Sequence, residues 1–169
     1  KKYFNKVKLI NPKNINLNDY KKIILSPGIP YNNYFIKKKY PKNKFKRDLN
    51  LYWDNKMNRK IIAITGTNGK STTTSLIGHL LSNNNIETEI VGNIGQPILK
   101  SKNLDERGVY IIELSSYQID LSPNLDLDIA ILLNISPDHI DRHGSLENYI
   151  NIKKRIFSKN PNQKRFICI

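Results

Sequence analysis

The run Ile61-Ile62-Ala63-Ile64-Thr65-Gly66-Thr67-Asn68-Gly69-Lys70-Ser71 constrains the fold of this chain more than any other segment. An apolar stretch enters a glycine-rich turn, the turn ends in Lys-Ser, and a helix-like segment from Thr72 to Leu81 follows at once. Strand, glycine turn and helix N-terminus in that order make a phosphate cradle, because backbone N–H groups and the helix dipole attract anionic oxygens. Lys70 adds a mobile positive charge, and the Ser71 hydroxyl suits Mg²⁺. The segment reads as a nucleoside-triphosphate site formed by Gly66, Thr67, Asn68, Gly69, Lys70, Ser71 and Thr72. The usual P-loop places four residues between its first glycine and its Gly-Lys pair, whereas only Thr67 and Asn68 stand there in this chain. The bland alternative is a Gly-Asn-Gly turn with a solvated lysine.

The surrounding pattern predicts an α/β fold. Strands are expected at 60–65, 87–91, 109–114 and 129–135, with a last one in Arg165-Phe166-Ile167-Cys168-Ile169; helices are expected at 70–83 and 146–158. Continuous apolar strands alternating with amphipathic helices imply a mostly parallel, P-loop-type sheet with helices on both faces. Ligands of such sheets sit at the carboxyl ends of the strands, and every candidate functional residue here follows a strand. Before residue 58 the signal is weaker. Tyr20 to Leu25 reads as a short strand, Ser26-Pro27-Gly28-Ile29-Pro30 as a tight loop, and Leu49 to Trp53 as a strand or a helical turn. That stretch has too few apolar segments for a core of its own and reads as half of a domain.

Three further clusters can carry chemistry. In Ile111-Ile112-Glu113-Leu114-Ser115-Ser116-Tyr117-Gln118, an acid ends an apolar strand. Beside a P-loop such a carboxylate is placed to bind Mg²⁺; otherwise it pairs with a lysine. Asn134-Ile135-Ser136-Pro137-Asp138-His139-Ile140-Asp141-Arg142-His143-Gly144 offers metal- and anion-binding groups at the same sheet edge, or else a polar loop whose acids cap turns. In the helix that follows, Ser145 is the expected N-cap and the apolar stripe runs through Leu146, Tyr149, Ile150, Ile156 and Phe157. Lys153 lies on that stripe and Lys154 does not. Either its head snorkels to the surface, or it stays inside and is paired, neutral or modified.

Composition narrows the partners. The net charge is +14, from 28 Lys+Arg against 14 Asp+Glu, with most of the excess before residue 60, as in Lys37-Lys38-Lys39 and the stretch from Lys42 to Arg47. No basic helix face interleaved with aromatics accompanies it, so the excess reads as compositional bias and no nucleic-acid partner is expected. One cysteine, Cys168, fits a reducing cytoplasm. No apolar stretch is long enough to span a membrane. The chain begins at Lys1 and ends within an apolar run, and reads as a fragment of a longer protein.

Together the four clusters resemble the Mur ligases, ATP-dependent acid–amino-acid ligases of peptidoglycan synthesis. The loop from Thr65 to Ser71 is similar to that family's nucleotide signature, which folylpolyglutamate synthases share in related form. Glu113-Leu114-Ser115-Ser116-Tyr117-Gln118 and Asp138-His139-Ile140-Asp141-Arg142-His143-Gly144 resemble the D-glutamate-adding branch, as do Ser26-Pro27-Gly28-Ile29 and Gly92-Asn93-Ile94-Gly95. The resemblance implies ATP-driven addition of D-glutamate to UDP-N-acetylmuramoyl-L-alanine through an acyl phosphate, by a cytoplasmic protein expected to be a monomer. It implies that residues 1–57 end a Rossmann-like UDP-substrate domain and that 58–169 begin the ATP-binding central domain, with the C-terminal domain absent. It implies Lys70, His139 and Lys153 as catalytic residues and Gly66 to Thr72 as the ATP loop. Gly28, Asn93, Ser115, Gln118 and His139 would contact substrate. Two Mg²⁺ ions would be held by Ser71, Glu113, His139 and Lys153, the last as a carbamate. The family often has a glycine where this chain has Arg47. The alternatives are another Mur or folylpolyglutamate-type ligase, or a nucleotide-binding module without ligase chemistry.

Overall fold

The computed structural model describes residues 14–31, 42–54, 60–122, 125–158 and 160–168. The basic run 37–39 and the expected domain boundary at 57/58 lie outside these residues.

The sheet is built on β3 (Lys60–Thr65) and β5 (Val109–Glu113), flanked by β4 (Thr88–Gly92), β6 (Ile129–Leu132) and β7 (Lys164–Ile167). The order is β4-β5-β3-β6-β7, and every pairing is parallel. The central strands β3 and β5 are buried almost throughout, as strands covered on both faces must be, whereas β7 is exposed along its length.

One face packs Ile62, Ile64, Val109 and Ile111 beneath α2 (Lys70–Asn83). The helix approaches closely because Gly78 has no side chain: a Cβ there would stand 2.8 Å from Ile90 Cδ1. It stops at Asn84, after which Asn85 takes a left-handed φ of 57° and the amides of Asn85 and Ile86 return to the carbonyls of Ser82 and Leu81, a Schellman closure. The other face packs Ile61, Ala63, Tyr110 and Ile112 against Leu49, Ile119 and Ile156. These last three come from α1 (Asp48–Asp54), α3 (Ser116–Ile119) and a 3₁₀ turn at Lys154–Ile156. Among the described residues, no helix is long and apolar enough to cross a membrane.

Several expected elements differ. The strand at 20–25 shrinks to β1 (Ile23–Ile24), paired in parallel with β2 (Phe45–Lys46), because those are the positions with a partner. Leu49 to Trp53 is helical, within α1. The 129–135 strand stops at Leu132, where pairing with Thr65 ends. The last strand runs Lys164–Ile167, starting one residue earlier than expected and ending before Cys168, while Ile169 lies outside the described residues. After the short α4 (Ile140–His143), the 146–158 helix splits into α5 (Leu146–Lys153) and the 3₁₀ turn, which buries Ile156.

Candidate active site

The carboxyl ends of β3, β5 and β6 form one rim. Register sets Glu113 beside Ile64 and beside Gly92, and Leu132 beside Thr65. At Gly66 the chain passes close to β6; a Cβ there would meet Leu133 Cβ at 3.1 Å and the Asn134 nitrogen at 3.3 Å. Gly69 precedes α2 with φ 79°, a left-handed conformation that costs a glycine little.

The loop amides divide into two sets. Thr67 N–H donates to the Asn134 carbonyl at 3.0 Å and Asn68 N–H to Asn134 Oδ1 at 2.9 Å, while Asn134 Nδ2 donates to the Asn68 carbonyl at 3.1 Å. These two amides hold the loop's shape. The first bond of α2 runs from Thr73 N–H to the Gly69 carbonyl, so the amides of Lys70, Ser71 and Thr72 precede any intrahelical acceptor. No side chain caps this end, and the Ser71 and Thr72 side chains are exposed. The turn therefore presents the donors and positive dipole end that an anion requires. Lys70 Nζ curls back onto the carbonyls of Gly66, at 3.1 Å, and Thr67, at 2.8 Å.

Lys153 points inward. Only 2% exposed, its Nζ donates to the same Gly66 carbonyl at 2.7 Å and to Thr65 Oγ1 at 3.4 Å, and stands 4.7 Å from the Tyr149 ring centroid. Burial first, and then the nearby charge of Lys70, lower its pKa to about 8, with Asp138 opposing. Two cationic side chains thus meet on one carbonyl at the mouth of the loop. Tyr149, also buried, shares a 3.1 Å hydrogen bond between its hydroxyl and Thr67 Oγ1.

Glu113 is 1% exposed. Its Oε1 accepts from Asn93 Nδ2 at 2.8 Å, and its Oε2 is buried without a partner among the described residues. A buried carboxylate oxygen left open beside a phosphate cradle fits a hard divalent cation such as Mg²⁺, with the Ser71 hydroxyl as an oxygen ligand of the same kind. His139 belongs to the same edge in a different way. It adopts φ 52°, its side chain is half-exposed, Nε2 lies 3.4 Å from Asp138 Oδ2, and its ring rests 5.0 Å from that of Tyr117. Further ring contacts connect Tyr117 to His143, at 5.7 Å, and His143 to Tyr149, at 5.4 Å. Among the described residues no three His, Cys, Asp or Glu side chains gather at one point.

Of the remaining candidates, Ser115 and Gln118 follow β5, whereas Gly28 follows β1 of the separate two-stranded sheet. Ser115 and Gln118 engage each other in a capping box at the start of α3, with Ser115 Oγ donating to Gln118 Oε1 at 3.0 Å. Gly28 has open space where a side chain would stand.

Asn134 and Tyr149 lacked assigned roles in the sequence reading; their signals were an amide just beyond a strand and an aromatic on the helix stripe. His143 is buried, shares a 2.9 Å hydrogen bond with Ser116 Oγ, and has its pKa lowered to about 4, chiefly by burial and then by Arg142. Arg47, noted only as a departure, is fully buried and paired with Asp120. Desolvation pulls its pKa down, against the opposing pull of Asp120.

Parallel sheet, glycine turn, lysine and open helix end define an α/β nucleotide-binding domain of P-loop type. The chain belongs to the Mur ligase family, matching the Mur ligase middle domain over residues 64–169. It is 45% identical over 161 residues to the UDP-N-acetylmuramoylalanine–D-glutamate ligase of Wolbachia pipientis wMel, an alignment covering 94% of this chain and 31% of that protein. It is 43% identical over 159 residues to the ligase of the same name from Rickettsia bellii (strain RML369-C), covering 92% and 34%. A solved UDP-N-acetylmuramoyl-L-alanyl-D-glutamate–2,6-diaminopimelate ligase superposes with a TM-score of 0.51 at 26% identity, over 70% of this chain and 34% of that one. The chain spans about a third of the length of the curated relatives it matches.

Proposed function

We propose that this chain supplies the nucleotide-phosphate and acceptor-substrate parts of an ATP-dependent ligase that joins D-glutamate to UDP-N-acetylmuramoyl-L-alanine in the cytoplasm. The supporting observation is the meeting of Lys70 and Lys153 on the Gly66 carbonyl, beside three helix-start amides that precede any intrahelical acceptor and a buried carboxylate oxygen with no partner among the described residues. The names of the relatives support the choice of amino acid. Residues 1–57 would belong to the UDP-substrate domain and 58–169 to the ATP-binding central domain.

In this reading the amides of Lys70, Ser71 and Thr72 hold ATP phosphate oxygens. Lys70 swings from the Gly66 and Thr67 carbonyls onto the transferring phosphoryl group, exchanging neutral acceptors for a charged one. The muramoyl carboxylate attacks the γ-phosphorus and ADP departs, giving an acyl phosphate. The D-glutamate amine then attacks the acyl carbon, loses a proton, and inorganic phosphate leaves. Catalysis by positioning and charge neutralisation suits this chemistry, because a carboxylate and ATP repel one another. Glu113 and Ser71 would hold one Mg²⁺, which when bound screens that repulsion. A second would need His139 to turn from Asp138 and Lys153 to carry a carbamate. The lowered pKa of Lys153 favours that modification: its neutral amine adds CO₂ and releases a proton. Asn93, Ser115, Gln118 and Gly28 would face the muramoyl nucleotide.

The test is phosphate release by the full-length protein with ATP, Mg²⁺ and UDP-N-acetylmuramoyl-L-alanine while the amino acid is varied. Release that requires D-glutamate is expected. Release with another amino acid alone would refute the specificity, and no release with any amino acid would refute the ligase reading.

A further inference from the structure

Arg47 lies between β2 and α1, outside the phosphate site, and all five of its side-chain N–H groups are used. Nε donates to Asp120 Oδ1 and Nη2 to Asp120 Oδ2, both at 3.0 Å. Nη2 also donates to the Ile29 carbonyl at 3.0 Å, while Nη1 donates to the carbonyls of Leu25, at 3.2 Å, and Ser26. Asp120 follows the last residue of α3, the helix that opens with Ser115 and carries Gln118. It receives a second guanidinium from Arg142, whose Nη2 is 3.0 Å from Oδ2 and 3.4 Å from the carbonyls of both Pro27 and Ile29. Arg155 Nη1 donates to the Asp120 backbone carbonyl at 2.6 Å.

The loop needs such a fastening. Pro27 has no N–H, Gly28 has no side chain, and among the described residues the backbone bond within the loop runs from Ile29 N–H to the Ser26 carbonyl at 2.9 Å. The planar guanidinium of Arg47 is suited to the task because one edge reads a carboxylate bidentately while the other hydrogens reach carbonyls. A lysine ammonium in its place offers three donors from one point and cannot span both.

We infer that Arg47 is a positioning residue that fixes the 25–29 backbone against the end of α3, so that the substrate loop and the Ser115–Gln118 segment move as one body. This rests on the proposed muramoyl-nucleotide site, and deepens it by naming what holds its two halves in register.

The test uses full-length Arg47→Lys, Arg47→Ala and Asp120→Asn proteins. Steady-state KM values for UDP-N-acetylmuramoyl-L-alanine and for ATP are measured with hydrogen exchange of a peptide spanning 23–31. Misplacing a substrate loop by an ångström costs up to about a hundredfold, so kcat/KM for the muramoyl nucleotide should fall by about ten- to a hundredfold in both Arg47 variants. The ATP KM should stay within about twofold, the 23–31 amides should exchange faster, and added guanidinium ion should partly restore Arg47→Ala. Unchanged muramoyl-nucleotide KM and exchange would overturn the inference. So would equal damage to both KM values without guanidinium rescue, the mark of a merely structural role. If Arg47→Ala fails to fold, Asp120→Asn decides: it keeps an acceptor for Nε and removes the charge, so faster exchange and a raised muramoyl-nucleotide KM support the tether and wild-type values overturn it. A wild-type protein without affinity for UDP-N-acetylmuramoyl-L-alanine would refute the ligase reading; the exchange measurement would still decide whether Arg47 fastens the loop.

Discussion

Glu113→Gln should make the metal-free protein more stable and at the same time disable it. As a carboxylate, Glu113 offers about four acceptor sites, yet among the described residues only Oε1 has a partner, Asn93 Nδ2 at 2.8 Å, and Oε2 is buried with none. Burying a charge so poorly compensated costs several kcal/mol. Glutamine keeps the shape and the Oε1 acceptor and removes the charge; the new amide N–H₂ lacks an acceptor, a cost of about 1–3 kcal/mol. The balance favours the variant by about 1–2 kcal/mol, which raises the melting temperature. Thermal unfolding of the full-length protein, in chelator and then with Mg²⁺ and ATP, reads both effects. Saturating ligand at about a hundred times its Kd adds about 2.7 kcal/mol to the wild type, and Glu113→Gln should lose most of that gain. A variant less stable than wild type in chelator, or one still stabilised fully by Mg²⁺ and ATP, would refute the assignment of Glu113 as an open cation ligand.

Other consequences follow from the same geometry. Asn134→Ala removes two hydrogen bonds that shape the loop and should weaken ATP binding by about five- to thirtyfold, corresponding to about 1–2 kcal/mol, as read by titration calorimetry. In CO₂-free buffer, wild-type stability relative to Lys153→Met should rise between pH 8 and pH 10.5, where the unfolded chain holds a proton that the folded one has released. The full difference is about 3 kcal/mol by denaturant titration; a flat difference would contradict the lowered pKa. With CO₂ present, Lys153→Ala should lose ligase activity and regain part of it with a short carboxylic acid; an unaffected variant would remove the carbamate from the account. His143 has the same sign at lower pH: stability relative to His143→Gln should climb from about pH 4 to pH 6.5 and be level beyond.

The elements with strong local causes were legible in the sequence. β3 and α2 match their expected bounds because an unbroken apolar run, a left-handed glycine and a helix stop mark every transition. The inward course of Lys153 followed from helical spacing, and burial among Tyr149, Thr65 and Gly66 answers the choice between inward and snorkelling. The four-residue helices α3 and α4 are too short to show a period, and α5 gives way to a 3₁₀ turn where packing of Ile156 takes over from helical propensity. The fastenings of the site were hidden for another reason. Asn134 meets Asn68 across 66 residues, and Arg47 meets Asp120 across 73, pairings that exist only once the sheet has closed.

A crystal structure of the full-length protein with Mg²⁺ and a non-hydrolysable ATP analogue tests the central claim most directly. The account predicts phosphate oxygens on the amides of Lys70, Ser71 and Thr72, Lys70 Nζ moved from the Gly66 and Thr67 carbonyls onto the phosphates, and a cation against Glu113 Oε2. A nucleotide bound elsewhere, with Lys70 still folded onto its own loop and Glu113 Oε2 still without a partner, would contradict it.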